Sequence, residues 1–330
     1  MRRPARATLL LPIALLFLAA AARGAGPVPT GPSPSDPKRA ELRVKLQERL
    51  ARLVAGLPGA SGYLIRDLTG GESFEKDADT VFPAASTIKL PIFLDLLKRS
   101  EEGTLDLALP VAVDPARRVE GGGVLEKWAV PYPVLSADQL AVLMIDFSDN
   151  YATNLLIDLV GLDRLRARLD DWGMKRTLLR RRMMDLEAAR AGRENVTTPR
   201  DMTALFERLY RGGILAAGNT RKAIEILKRN EKTPIKKGTP PGTTAADKEG
   251  DLDGVRCDAG LVFVRGGGAR PDRPFVLAVM TAYLQDDRAG ETFIEEVTRA
   301  AGDYFTTLAR STDEGRVIDQ REAPTIPGFR

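Results

Sequence analysis

The chain of 330 residues contains no histidine and only one cysteine. The lack of histidine excludes histidine-ligated metal sites and every catalytic triad that relies on an imidazole base. The single thiol, Cys257, cannot form an internal disulfide bond, and we expect it to be packed rather than reactive. Any nucleophile in this chain must therefore be activated by a base other than histidine.

The chain also carries little net charge once its N-terminus is set aside. The formal net charge is +4, and Arg2, Arg3 and Arg6 supply three of those charges, so the chain without residues 1–22 carries +1. Such a balance gives no indication of binding to nucleic acid or to an anionic membrane surface. We expect no nucleic-acid partner, no metal and no cofactor.

No apolar run reaches the roughly 20 residues that a membrane-spanning helix needs. The run Thr8–Ala22 follows the three arginines and ends in small residues, a pattern typical of a secretory signal peptide. We therefore predict a signal peptide over residues 1–22 and an exported protein, periplasmic or secreted. An uncleaved N-terminal membrane anchor is the alternative. Composition predicts a flexible leader over 23–36 and a disordered tail over 310–330.

Hydrophobic periodicity predicts the order helix, strands, many helices, strands, helix. The predicted strands are Ser61–Leu68, Ser73–Lys76, Thr243–Glu249, Cys257–Arg265 and Phe275–Leu284. The predicted fold class is α+β (an α/β sandwich): an antiparallel sheet from both chain ends, with flanking helices and an inserted all-helical domain. We expect one catalytic domain over 37–309, with an α/β part at about 37–90 and 240–309 and a helical part at about 91–239.

Ser86-Thr87-Ile88-Lys89 is the first candidate for chemistry. Residues three apart on a helix lie on one face, so the spacing places an amine beside a hydroxyl. A serine becomes a nucleophile only when a neighbouring base takes its proton, and Lys89 is the candidate for that base. The alternative is a helix start followed by an ordinary solvated lysine, because Ser-x-x-Lys alone is a weak motif.

Two further segments are informative in combination with the first. Ser148-Asp149-Asn150 by itself could be a polar turn that caps the following helix, and Lys248-Glu249-Gly250 by itself could be a charge pair on an edge strand. The three segments together supply a nucleophile with its base, a hydroxyl with an amide, and a strand-borne ammonium. In this order they resemble the signature S-x-x-K, S-D-N and K-T-G of the penicillin-recognising serine enzymes, above all the class A β-lactamase family.

The resemblance, which covers roughly residues 38–309, implies catalytic roles. Ser86 would attack the amide carbonyl and become acylated, Lys89 would take its proton, and Ser148 would relay a proton to the leaving nitrogen. Backbone N–H groups of Ser86 and Asp251 would form the oxyanion hole.

The resemblance also implies substrate-binding roles. Asn150 would hold the side-chain amide of the substrate, and Lys248 would supply positive potential near the substrate carboxylate. Arg256 would bind that carboxylate, a task suited to a guanidinium. The sequence departs from the family at Glu249, which stands where a threonine or serine hydroxyl normally contacts the carboxylate. We expect a salt bridge between Glu249 and Arg256.

A second departure concerns removal of the acyl group. Threading residues 177–192 onto the omega loop of the family puts Met183 at the position of the glutamate that activates the deacylating water. Methionine cannot act as a base, and Glu187 or Asp185 is a substitute only if the loop is reshaped. Glu187 is the residue we select as a substitute deacylation base.

The predicted function is thus that of an exported serine hydrolase that forms an acyl-enzyme, like a class A β-lactamase, and hydrolyses the β-lactam amide. One alternative is a penicillin-binding, D-alanyl-D-alanine peptidase-like enzyme with slow deacylation, and another is a non-catalytic domain that binds peptidoglycan or a partner protein. Esterase or amidase activity on an unrelated small substrate is a further possibility. The expected partner is a small β-lactam or a peptidoglycan stem peptide, and we expect a monomer.

Overall fold

A computed structural model describes residues 37–127, 134–267, 271–312 and 315–316. The predicted signal peptide, the predicted leader and most of the predicted tail lie outside these residues. The helices in the described ranges are α1 (Pro37–Gly56), α2 (Lys89–Glu101), α3 (Ala137–Asp146), α4 (Asn150–Val160), α5 (Leu162–Asp171), α6 (Leu186–Arg190), α7 (Pro199–Tyr210), α8 (Ala217–Leu227), α9 (Pro234–Gly238) and α10 (Asp287–Arg310). None of them is long and apolar enough to cross a membrane.

The strands build one main sheet and three small pairs. They are β1 (Ala60–Asp67), β2 (Ser73–Lys76), β3 (Phe82–Pro83), β4 (Pro110–Ala112), β5 (Val134–Ser136), β6 (Val196–Thr197), β7 (Thr244–Leu252), β8 (Val255–Phe263), β9 (Phe275–Ala282), β10 (Ser311–Thr312) and β11 (Gly315–Arg316). The main sheet has the order β2-β1-β9-β8-β7 and its neighbouring strands are all antiparallel. β3 pairs with β6, β4 with β5, and β10 with β11.

The central strand β9 explains why helices cover both faces of the sheet. Every residue of β9 is buried, so each face must be shielded from water. One core forms where α1 and α10 pack on one face, and it includes Leu50, Phe275 and Phe305. The other core lies between the opposite face and the inserted helices. The predicted fold class is confirmed: an antiparallel sheet, built from both ends of the chain, with a helical insertion.

Local signals locate several elements well. The Ser136 side chain accepts from the backbone N–H of Gln139, whose side chain accepts from the N–H of Ser136, and this capping box starts α3. β2 has the predicted bounds. β7 is longer than predicted, because the hairpin turn falls at Asp253 and Gly254 instead of directly after the third motif.

Candidate active site

Ser86 lies in a 3₁₀ turn, Ala85–Ile88, that leads directly into α2. The backbone N–H of Lys89 donates to the carbonyl oxygens of Ser86 and Thr87, which closes the turn. Side chains three apart eclipse in a 3₁₀ helix, so the side chains of Ser86 and Lys89 start from the same side of the chain. Ala85 has a φ of +46°, an uncommon conformation for a residue with a Cβ that often marks functional sites.

Lys89 is fully buried and contacts the second motif. Its Nζ donates to the Ser148 carbonyl oxygen at 2.6 Å, to Ser148 Oγ at 3.1 Å and to Asn150 Oδ1 at 2.9 Å. Burial and the positive charge of Lys248 lower the pKa of Lys89 from 10.5 to about 7. A large fraction of this amine is therefore neutral near pH 7 and able to accept a proton.

Ser148 occupies the point between the two lysines. Its Oγ accepts from Lys89 Nζ at 3.1 Å and from Lys248 Nζ at 3.3 Å. The residue has a φ of +50°, and it immediately precedes Asp149, which caps the N-terminus of α4 by accepting from the N–H of Ala152. The strained turn and the cap together aim the hydroxyl between two amines, as a proton relay requires.

Asp149 and Asn150 tie a glycine-rich loop to this turn. Asp149 is buried and its Oδ2 accepts from the N–H of Leu125 at 2.7 Å. A Cβ on Gly123 would overlap the Asp149 carboxylate, so only glycine fits there. Asn150 Nδ2 donates to the Gly121 carbonyl oxygen at 2.9 Å and retains its second hydrogen for another acceptor. Sequence reasoning offered a helix cap as one alternative for this motif, but it missed the contact between Asp149 and Leu125.

The edge strand β7 approaches Ser86 closely. A Cβ on Gly250 would lie 2.7 Å from the backbone nitrogen of Ser86 and 2.9 Å from that of Thr87, so glycine is required there. Leu252 pairs with Val255 at the hairpin, and alternate residues of an edge strand turn their backbone groups away from the neighbouring strand.

This alternation indicates which backbone groups of β7 face the free edge. The carbonyl oxygen of Glu249 accepts a hydrogen bond from Lys248 Nζ at 3.0 Å, so it points to the free edge of β7 and not to β8. Asp251 has the same parity, so its N–H also faces the free edge, beside the turn that holds Ser86. This arrangement supports the predicted oxyanion hole.

Glu249 pairs with its own neighbour. Its Oε1 lies 3.0 Å from Lys248 Nζ, and the Lys248 side chain is almost fully buried. Burial raises the pKa of the Glu249 carboxyl, but Lys248 more than offsets that effect, so the pKa lies below its ordinary value. The expected salt bridge between Glu249 and Arg256 is wrong, because a closer cation on the same strand takes the carboxylate.

Arg256 instead pairs with the first turns of α10. Its guanidinium lies 3.0 Å from Asp287 Oδ2 and 3.3 Å from Glu291 Oε1. It also donates to the carbonyl oxygens of Leu252 and Val255 at 2.8 Å. Sequence reasoning missed both acidic partners, which lie 31 and 35 residues further along the chain. The predicted role of Arg256 in carboxylate binding stays a prediction.

The backbone of Met183 is pinned to α4. Its N–H donates to Asn154 Oδ1 at 2.8 Å, and its carbonyl oxygen accepts from Asn154 Nδ2 at 3.1 Å. The Met183 side chain is buried and carries no group that can take a proton from water. Glu187 is exposed in the first turn of α6, where Asp185 caps the helix by accepting from the N–H of Ala188. A catalytic role for Glu187 stays a prediction.

A cavity of about 380 Å³ lies between this loop and the segment that precedes the glycines. It is lined by Arg117, Val119, Tyr151, Asn154, Arg182, Met183, Met184 and Asp185. Across the described ranges, no three side chains of histidine, cysteine, aspartate or glutamate gather where they could hold a metal ion.

Comparison with known proteins agrees with this geometry. The family model described as the beta-lactamase enzyme family matches residues 45–305. The chain is 27% identical over 261 residues to the carbapenem-hydrolyzing beta-lactamase KPC of Klebsiella oxytoca, covering 77% of this chain and 87% of that protein. It is 32% identical over 154 residues to the beta-lactamase regulatory protein BlaB of Streptomyces cacaoi, and this match spans 46% of each chain, less than half of BlaB.

Solved structures give the same picture. The structure of PBP-A aligns with a TM-score of 0.71 at 31% identity, covering 79% of this chain and 96% of that chain. A variant of PBP-A, solved as an acyl-enzyme complex with penicillin G, aligns with a TM-score of 0.72 at 30% identity and covers the same shares of the two chains.

Proposed function

Because the chain belongs to the beta-lactamase enzyme family, we propose that it is a serine hydrolase that opens the β-lactam amide through an acyl-enzyme on Ser86. The observation that carries this proposal is the environment of Lys89. The amine is buried, has a pKa of about 7, and is held by hydrogen bonds to Ser148 and Asn150. A lysine kept partly neutral beside a serine is the base that this histidine-free chain needs.

The steps of acylation combine the observed contacts of Lys89, Ser148 and Lys248 with the role that the family pattern implies for Ser86. Ser86 Oγ attacks the amide carbonyl carbon while its proton passes to the neutral amine of Lys89. The negative charge that develops on the carbonyl oxygen is stabilised by the N–H groups of Ser86 and Asp251. Lys89 then returns the proton through Ser148 Oγ, 3.1 Å away, to the leaving nitrogen as the carbon–nitrogen bond breaks. Lys248, 3.3 Å from the same hydroxyl, keeps Ser148 oriented.

The omega-loop position that would supply a general base for deacylation holds a residue that cannot act as one. A water molecule must be activated to attack the ester, and the residue held against Asn154 in the omega loop is Met183, which cannot accept a proton. This observation favours the second candidate, a penicillin-binding, D-alanyl-D-alanine peptidase-like enzyme whose acyl-enzyme is long-lived. Glu187, although exposed, is the substitute base that rapid hydrolysis would require.

A non-catalytic domain that binds peptidoglycan or a partner protein is the candidate from another class. Burial of a lysine beside a second lysine, with its pKa lowered by several units, is costly for folding and contributes nothing to simple binding. The arrangement around Ser148 therefore favours catalysis over binding alone.

Intact-mass spectrometry over time tests the proposal, with benzylpenicillin and, in parallel, its uncharged methyl ester. We expect an adduct on the wild-type chain and on Ser100→Ala, a matched serine change on α2, and none on Ser86→Ala. An adduct that clears as hydrolysed drug accumulates indicates a β-lactamase, whereas one that persists indicates the penicillin-binding alternative. If neither compound forms an adduct, the β-lactam assignment is wrong.

We also propose that the protein is exported, to the periplasm or the medium, as a monomer that acts on β-lactams or on peptidoglycan stem peptides. Support for export comes from the signal-peptide pattern of residues 1–22. N-terminal sequencing of the protein from cell fractions tests it, and we expect a mature chain that begins after residue 22. Recovery of the intact N-terminus in the membrane fraction would favour the anchor, and recovery in the cytoplasm would contradict export.

A further inference from the structure

The carboxylate of Glu249 has one oxygen without a partner. Oε1 pairs with Lys248 Nζ at 3.0 Å, whereas Oε2 is shielded from solvent and has no hydrogen-bond partner among the described residues. The carboxyl carries its negative charge near pH 7, because pairing with Lys248 lowers its pKa despite burial. A buried, unpaired carboxylate oxygen is costly, and a hydrogen-bond donor on a ligand would remove that cost.

The geometry places Glu249 beside the leaving-group side of a substrate. Ser148 Oγ delivers the proton to the leaving nitrogen, and Lys248 Nζ lies 3.3 Å from that oxygen and 3.0 Å from the Glu249 carboxylate. A substituent next to the leaving nitrogen therefore reaches this part of β7. In a penicillin that substituent is a carboxylate.

The cations near this position are already neutralised. Lys248 pairs with Glu249, and Arg256 pairs with Asp287 and Glu291. Lys89, whose pKa is about 7, adds only a partial positive charge near pH 7, so these three cations still meet three carboxylates with negative charge in excess where a ligand carboxylate would have to bind. Like charges at close range in a poorly solvated site repel each other strongly.

We propose that this site selects acyl donors whose substituent beside the leaving nitrogen is an uncharged or cationic hydrogen-bond donor, such as a primary amide, instead of a carboxylate. This inference rests on the proposed function for the orientation of the substrate. An amide N–H would donate to the free Oε2 of Glu249, and the absence of negative charge would remove the repulsion. A methyl ester would remove the repulsion without donating, so its affinity should fall between the two.

Equilibrium binding separates this inference from catalysis. The probes are benzylpenicillin, its methyl ester and its primary carboxamide, each titrated by calorimetry into the Ser86→Ala variant, which cannot be acylated. We expect the carboxamide to bind about tenfold or more tightly than the carboxylate, the scale of one hydrogen bond to a charged group, with the ester between them. Adding Glu249→Thr should reverse the order.

A matched control is Glu225→Thr, which removes an exposed glutamate that pairs with Lys228 on α8 and should leave the order unchanged. Equal or tighter binding of the carboxylate while Glu249 is present would overturn the inference. So would an order that Glu249→Thr does not alter, or binding of none of the three compounds.

Acylation of the wild-type chain by the same three compounds is followed separately by mass. If the binding order holds but no adduct forms, the proposed acylation fails, and the part of the inference that stands is the preference of the site for the carboxamide over the carboxylate. If adducts form but the binding order is absent, the inference fails and the proposed function stands.

Discussion

Acylation of Ser86 should lose rate as the pH falls through the pKa of Lys89. That pKa is lowered from 10.5 to about 7, first by burial and then by Lys248. Only the neutral amine can take the serine proton, so about half of the protein is competent at about pH 7, about a tenth at about pH 6 and about a hundredth at about pH 5. The rate should thus fall about tenfold per pH unit on the acidic side.

The acidic limb of the pH–rate profile is the range in which the acylation rate falls with falling pH. Two variants should move this limb in opposite directions along the pH axis. Lys248→Gln removes the second largest cause of the lowered pKa, so the pKa of Lys89 should rise and the limb should move to higher pH. Glu249→Gln removes a carboxylate that raises the pKa, so the limb should move to lower pH. Asp149 and Asp251, the other carboxylates that raise it, are left in place as a constant background.

The assay is the single-turnover rate of adduct formation, quenched at intervals and measured by intact mass between about pH 5 and about pH 9. Both variants change ligand binding as well as the pKa, so the midpoint of the limb is compared instead of the absolute rate. A rate that stays flat on the acidic side, or a limb that moves the same way in both variants, would refute Lys89 as the base.

Three other predictions concern deacylation, packing and stability. Met183→Glu should shorten the lifetime of the adduct roughly a hundredfold, which is the scale of the effect of a general base. Met184→Glu, at the exposed neighbouring position, should leave the lifetime unchanged. Equal adduct lifetimes in the two variants, measured by intact mass, would contradict this prediction. Gly250→Ala should slow acylation, measured as the rate of adduct formation, because its Cβ would lie 2.7 Å from the backbone nitrogen of Ser86. Gly218→Ala, which meets nothing within 4 Å, should leave the rate unchanged, and equal rates for both alanine variants would count against close packing. The pKa of Lys89 is lower in the folded chain than in the unfolded chain, so between about pH 7 and about pH 10.5 the unfolded chain binds one more proton, and the free energy of unfolding increases as the pH rises through that window. The melting temperature of the wild type should therefore rise relative to that of Lys89→Met as the pH increases. A difference between the two melting temperatures that does not depend on pH would contradict the lowered pKa.

The sequence was most informative where a signal is local. The capping box at Ser136 and the cap of α4 by Asp149 both depend on residues only a few positions apart. The alternation and β-branched content of the strands locate the sheet. The motif lysines and Ser148 come together as the resemblance implied, with Lys89 Nζ 3.1 Å and Lys248 Nζ 3.3 Å from Ser148 Oγ.

The sequence was least informative about ion pairs, because the partner of a charged side chain depends on how the strands and helices pack against one another. Two cations could pair with the carboxylate of Glu249: Lys248, its neighbour on the same strand, and Arg256, across the hairpin. No local sequence pattern decides between them. In the structure Glu249 forms an ion pair with Lys248, whereas Arg256 forms ion pairs with Asp287 and Glu291, which lie more than thirty residues further along the chain. Long-range side-chain pairing depends on where α10 docks against β8, which no short pattern reports.

The two departures from the family pattern lie at different stages of one reaction cycle. Met183 stands where the acyl group would be removed, and Glu249 stands where the leaving-group side of the substrate would bind. Glu249 also affects the step in which Ser86 would lose its proton, because its negative charge raises the pKa of Lys89. Keeping Lys89 buried, which lowers its pKa from 10.5 to about 7, costs folding on the order of a few kcal/mol at neutral pH, an appreciable share of the stability of an ordinary domain.

A chain that needed only to bind a ligand would gain stability by replacing Lys89 with an apolar residue, since proteins tolerate such costs chiefly at sites of function. Retention of the buried lysine, the strained Ser148 and the tightly fitted Gly250 therefore favours an enzyme that still acylates. What distinguishes this enzyme is which acyl donor it accepts and how long it holds the acyl group. We therefore expect variants at Glu249 to change the order of binding and variants at Met183 to change the lifetime of the adduct, each independently of the other.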